Sequence, residues 1–352
     1  ATPMRSTQAS THPFGRKWGM SLPPVPPICC GLVVDDFPRT LRELEARFAT
    51  EDVCREYLAR LRWPNGFICP RCGAGGGWPT ARGLQMCSAC GQQTSVTAGT
   101  IFQGTRTPLT LWFRAIWWVV SQKNGASALG LQRILGLGSY RTAWTWLHRL
   151  RRAMVRPGRE RLSGEVEVDE TFVGGVEIGG GGRHIGKKAL VVIAAEVRGR
   201  ATGRIRMRRV ADSSAKSLVA FVQDAIEPGS TVITDGLQSY RCLPKLGYEH
   251  DRRVVLGSGE SADAVLPRVH RATSLLKRWL LGTHQGAVSR EHLDYYLDEF
   301  TFRFNRRSSR HRGKLFHRLL QNAVAIDPVP YATMVQGVRG RRKGGPQHVG
   351  GT

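Results

Sequence analysis

Acidic side chains are scarce in this chain: 27 Asp and Glu face 52 Lys and Arg over 352 residues, for a formal net charge of +25. Such a deficit is the electrostatic footprint of a protein that sits against a polyanion, nucleic acid first. The basic C-terminal segment GVRGRRKGGPQHVGGT holds only a few of these cations, so the charge belongs to the folded part. Long apolar runs are missing too. The best candidate, LWFRAIWWVV, is short and interrupted by Arg114, which excludes a helix long enough to cross a bilayer. The first nineteen residues lack the apolar centre of a secretory signal, so a cytoplasmic location is expected. The Gly-rich stretch GGVEIGGGGRHIGKK lacks Gly-x4-Gly-Lys-Ser/Thr, which argues against nucleotide binding; it reads as a strand-connecting loop bringing Lys187 and Lys188 near DNA.

Cysteine is present in a telling pattern. Of eight cysteines, four stand in CPRCGAGGGWPTARGLQMCSAC as Cys69, Cys72, Cys87 and Cys90, two Cys-x2-Cys pairs fourteen residues apart. This is close to the spacing of a tetrahedral thiolate zinc site, each pair supplying two ligands from a tight turn. Two disulfides are disfavoured in a reducing compartment, and a redox pair does not call for a doubled motif. Structural Zn2+ is therefore expected. Four thiolates leave no open coordination position, so the ribbon serves recognition or scaffolding and the chemistry lies elsewhere. Cys29, Cys30, Cys54 and Cys242 have no such spacing and read as inert thiols.

The expected organisation is α+β and multidomain. Residues 1–35 are Pro-rich and loose, 36–62 form short amphipathic helices, 63–106 the zinc ribbon, and 107–156 a helix-turn-helix region. In that region Pro108, Ser127 and Ser139 mark three helix starts. On the third helix Arg141, Thr145, His148 and Arg152 fall at intervals of four, three and four, one face offered to DNA, while Ala143, Leu147, Leu150 and Met154 turn inward. After RPGRERLSG the pattern changes to strands, for a mixed α/β unit over 164–325, followed by a basic Gly-rich tail over 326–352.

The strand EVEVDETFVGG alternates, so Val166 and Val168 point one way and Glu165, Glu167 and Asp169 the other. Two further strands, an amphipathic helix and the strand STVITDG ending at Asp235 follow. If the strands bearing Asp169 and Asp235 are neighbours, their carboxylates meet. A helix begins near Pro267, with His270 and Lys277 seven residues, or two turns, apart on one face.

The pieces RWPNGFICPRCG, VDETFVGG, TDGLQSY and LKRWLLGTHQGAVSREHLDYYLDEFTFRFNRR, in that order, resemble the zinc-ribbon branch of the DDE-type transposases of bacterial insertion sequences, the fifteen-ninety-five type. The resemblance covers most of residues 40–325. It implies an RNase H-like catalytic domain in which two Asp and a third residue hold a divalent metal, Mg2+ or Mn2+, with a Lys seven positions beyond the third. Asp169, Asp235 and Lys277 match by position, and His270 stands where many relatives carry Glu; Glu299 is the rival third acid and Glu170 a weaker candidate. Binding of terminal inverted repeats, metal-dependent strand cleavage and strand transfer are implied, with double-stranded DNA as partner and a dimer expected by analogy. The rival is a DNA-binding regulator without catalysis. Lys277 and Arg278 are expected at a phosphate near the scissile bond. Arg303, Arg306, Arg307 and Arg310, with Phe302 and Phe304 interleaved, are expected to track the DNA backbone.

Overall fold

The computed structural model describes residues 37–156, 158–174, 188–254, 262–286 and 288–339. The loose N-terminal segment with Cys29 and Cys30, the Gly-rich loop with Lys187 and the end of the basic tail lie outside the described residues.

Two short helices open the chain, α1 (Leu41–Arg47) and α2 (Glu51–Arg62), each started by a Thr hydroxyl that accepts a main-chain N–H of its first turn. The ribbon follows as three short antiparallel strands, β1 (Gly77–Pro79), β2 (Gln85–Cys87) and β3 (Gln93–Thr94). A side chain at Gly77 would strike the Met86 carbonyl and Phe67, so β1 can approach β2 this closely only through glycine. Helices α3 (Leu109–Ser121), α4 (Ala128–Leu135) and α5 (Tyr140–Ala153) come next. Ser127 and Ser139 cap α4 and α5 as expected. Pro108 has no side-chain acceptor to cap α3, and the Glu51 carboxylate from α2 accepts the Leu109 N–H instead, at 2.7 Å. One apolar core joins these helices to α10 (Arg312–Ala325), with Trp112 stacked on Trp146 at 3.7 Å and Phe316 buried beside Phe113.

The second part is a five-stranded mixed sheet. Its strands are β4 (Glu165–Val173), β5 (Ala189–Arg198), β6 (Ala201–Val210), β7 (Thr231–Thr234) and β8 (Glu249–Arg252), in the spatial order β6-β5-β4-β7-β8. The pairs β4/β5 and β5/β6 are antiparallel; β4/β7 and β7/β8 are parallel. Helix α6 (Ala215–Ala225) covers one face over Val166, Val168 and Val192. Helices α8 (Pro267–His284) and α9 (Leu293–Asn305) cover the other over Val191, Ile193 and Ile205. Short α7 (Ala262–Val265) precedes α8, and α11 (Tyr331–Arg339) closes the described chain. No helix among the described residues is long and apolar enough to cross a membrane.

Candidate active site and four-cysteine centre

The ribbon gathers Cys69, Cys72, Cys87 and Cys90 so that all four sulfurs lie within 4.8 Å of one another. Cys69 Sγ is 3.7 Å from Cys90 Sγ, and Cys72 Sγ is 3.7 Å from Cys87 Sγ. Around the sulfurs the apolar packing is thin: Phe67, with Trp63 and Ala74 beside it. Four sulfurs gathered this tightly, none in a disulfide, are the donor set of a closed tetrahedral zinc site.

The carboxylates of the sheet are positioned by register. Parallel pairing sets Glu165 opposite Thr231, Val166 opposite Val232 and Glu167 opposite Ile233; two residues further on, the same register brings Asp235 alongside Asp169. Gly236, at φ 95°, turns the chain immediately after Asp235, where a side chain would press on Arg252 and Val254. Asp235 Oδ1 accepts the Leu237 N–H at 3.0 Å, fixing the direction of its carboxylate. From the covering helix, His270 Nε2 reaches to 3.4 Å from Asp169 Oδ2, both side chains part-exposed at 26% and 20%. The structure thus pairs His270 with Asp169 and sets Asp235 just past the end of the neighbouring strand; among the described residues only the four cysteines gather their donor atoms within 4.8 Å of one another, and these three do not.

Glu167 explains why α8 stands where it does. It is completely buried, one step along the face that carries Asp169, and accepts the Arg268 and Val269 N–H groups at 2.7 and 3.0 Å. A carboxylate at a helix N-terminus meets unsatisfied donors and the positive end of the helix dipole together. Helix α8 has no side-chain cap of its own, so β4 supplies one and holds His270, in the first turn of α8, beside Asp169. Sequence reasoning saw the acid alternation but missed this role; its signal was a second acid two residues before Asp169 on the same face. Glu170 points to the opposite face as expected and accepts the Tyr240 hydroxyl. Burial, then the Glu170 charge, raises the Tyr240 phenol well above its usual range, so Tyr240 packs here as a neutral donor.

Several expected residues lie elsewhere. Glu299 is fully buried between Arg151 and Arg303, each at 2.8 Å, and accepts the Ala126 N–H at 3.4 Å, so it is a joint between α5 and α9 and not the third acid. Arg303 is drawn into the same joint by the carbonyls of Gln122 and Val119, which removes it from the expected DNA track. His148 is corrected as well: it is wholly buried among Trp144, Tyr295 and His292, because α9 packs against that face of α5. Thr145 gives its hydroxyl to the Arg141 carbonyl, and Arg141 lies over the Tyr331 ring at 3.8 Å while remaining exposed. Arg152, Lys277, Arg278 and Arg310 are exposed. Arg306 stacks on Phe302, and Arg307 donates to the carbonyls of Phe304 and Thr202. A cleft of about 880 Å3 opens along the far end of α8, lined by Lys123, Arg278, Trp279 and Arg312, and not beside Asp169.

A zinc-ribbon module followed by a mixed sheet with strand-end carboxylates defines a class, and comparison with known proteins agrees. Residues 49–93 match the transposase zinc-ribbon domain and residues 161–305 the ISXO2-like transposase domain, together more than half of the chain. The chain belongs to the ISXO2-like, IS1595-type transposases of insertion sequences. A relative in Halobacterium salinarum, an uncharacterized protein in transposable element ISH50, is 28% identical over 277 residues, which cover 73% of this chain and 91% of the relative. No solved structure matches.

Proposed function

We propose that the protein binds the ends of its insertion element and cuts and joins DNA strands at a divalent-metal site formed by Asp169, Asp235 and His270. The observation that carries this reading is the 3.4 Å approach of His270 to Asp169 on a strand whose parallel neighbour ends at Thr234, one residue before Asp235. The donor set fits: two carboxylates and an imidazole suit Mg2+ or Mn2+, and the imidazole favours the softer Mn2+. When bound, divalent ions stabilise the attacking and leaving oxygens of an in-line displacement at phosphorus. Asp169, on the central strand and 3.4 Å from His270, would hold the metal together with Asp235 and His270. Lys277, two turns beyond His270 and exposed, lies on the same helical face and meets the phosphate beside the scissile bond. In this reading the five-stranded sheet is RNase H-like, the cysteine centre holds structural Zn2+, and α3 to α5 form a helix-turn-helix whose exposed Arg141 and Arg152 contact the duplex. End recognition falls to the ribbon and this helical part.

The test is strand cleavage and transfer on duplexes carrying the element's terminal repeat, with Mg2+ or Mn2+. Wild type is expected to produce a metal-dependent nick and joined product, both absent in Asp169→Ala. Equal product from the two proteins would refute the metal-site assignment.

A further inference from the structure

Between α5 and β4 the chain crosses over β6 and the facing ends of α9 and α10, and a pocket of about 370 Å3 forms beneath it. Six arginines line it: Arg156, Arg159, Arg204, Arg206, Arg306 and Arg318. Glu160 is the one carboxylate in the lining, and Arg156 pairs with it; Glu196, just behind, pairs with Arg204. The other four guanidinium groups make no ion pair among the described residues. Arg206 is only 4% exposed, and its donors reach the main-chain carbonyls of Ile205 and Glu160, at 2.9 and 2.6 Å. Burial, Arg159 and Arg204 together push it down to about 10. Burial and then Arg318 and Arg156 lower Arg306 likewise. Asp298, which acts on Arg159, is itself pushed up to about 7 by burial and carries only part of its charge at neutral pH. Holding several cations this close is unfavourable unless an anion joins them.

We propose that this pocket is a phosphate site and that its ligand is a backbone phosphodiester of the bound DNA. Arginine suits it: the planar fork donates two parallel hydrogen bonds to phosphate oxygens. A strand is favoured over a free anion because the positive wall does not stop at the pocket. Phe302 and Arg306 are shared with the 880 Å3 cleft, whose lining adds the cations Lys123, Arg278 and Arg312 and no carboxylate. A phosphate seated here ties residues 154–160 to β6, so that engaging the DNA fixes the helical part relative to the sheet that carries Asp169. The inference rests on the proposed DNA-binding function and extends it to a contact outside the cutting site.

The experiment measures duplex affinity against salt for wild type, Arg159→Gln/Arg318→Gln, and Arg318→Gln alone, whose exposed side chain leaves the core untouched. Thermal melting confirms that each is folded. One lost phosphate contact is expected to make the slope of log K against log salt shallower by about 1 and to weaken binding to all sequences alike. Neutral methylphosphonate linkages, scanned along the duplex, should weaken wild type at one position and cost the double variant nothing further there. An unchanged slope in the folded double variant overturns the proposal. So does stabilisation by inorganic pyrophosphate that the variant loses while its DNA slope stays that of wild type, which assigns the pocket to a free anion. Absence of metal-dependent cleavage by wild type sinks the proposed chemistry without touching either slope.

Discussion

Asp169 and His270 lie 101 positions apart in the chain and 3.4 Å apart in space, and each has a separate test. Asp169→Asn keeps the size of the side chain and removes its charge, so cleavage should fall by at least about a hundredfold while thermal melting stays unchanged. His270→Glu replaces an imidazole with a harder oxygen donor; the ratio of Mn2+- to Mg2+-supported cleavage should fall, read from rates with each ion. His148 is tested through pH. Burial, then Arg151, His292 and His284, lowers it from 6.5 to about 2, and burial lowers His284 to about 4. Each stays neutral in the folded chain while the unfolded chain takes up a proton below about 6.5, so stability is complete above that pH and declines as pH falls towards 4. Melting temperatures measured between pH 7.5 and 4.5 should show this decline, less steeply in His148→Phe. At this scale the cysteine cluster was legible, since it depends on spacing, and so was the placement of Asp169 on a strand and of Asp235 just past one. His148 was not: helical periodicity puts it on a face with Arg141 but cannot say that α9 covers part of that face.

Elements carry the joint between the helical part and the sheet. Burial alone would raise the Glu299 pKa, but the Arg151 and Arg303 charges overturn that and hold it down to about 2. Its stabilisation is therefore present above the ordinary carboxylate value near 4.5 and is lost as pH falls through 2. Glu299→Ala leaves two guanidinium groups buried without a counter-charge and should cost about 3–5 kcal/mol in urea unfolding. The ribbon is held differently. With so thin an apolar core, it should lose protection when a chelator strips its metal, while the core around Trp112 and Trp146 stays intact. Hydrogen exchange over residues 67–94, followed with and without chelator, reads this directly. Helix caps and the strands β4 to β7 could be read from Ser, Pro and alternating valines. Strand β8, Glu-His-Asp-Arg, could not: it is a polar edge strand whose only reason to pair is the exposed side of β7.

Across the whole molecule, the surplus of basic residues predicted a polyanionic partner, and the structure shows how that surplus divides. Some arginines are structural, as Arg151, Arg303 and Arg307 are, closing joints and carbonyl ends; others line clefts that no carboxylate balances. Composition cannot separate these groups, because both raise the net charge equally. The central claim is that Asp169, Asp235 and His270 act as one metal site, and the most direct measurement is Mn2+ binding to the zinc-loaded full chain, followed by electron paramagnetic resonance. Wild type is predicted to take up Mn2+ at a site that Asp169→Asn and Asp235→Asn each abolish and that shows a nitrogen coupling lost in His270→Ala. Equal Mn2+ uptake by wild type and both aspartate variants would contradict the account.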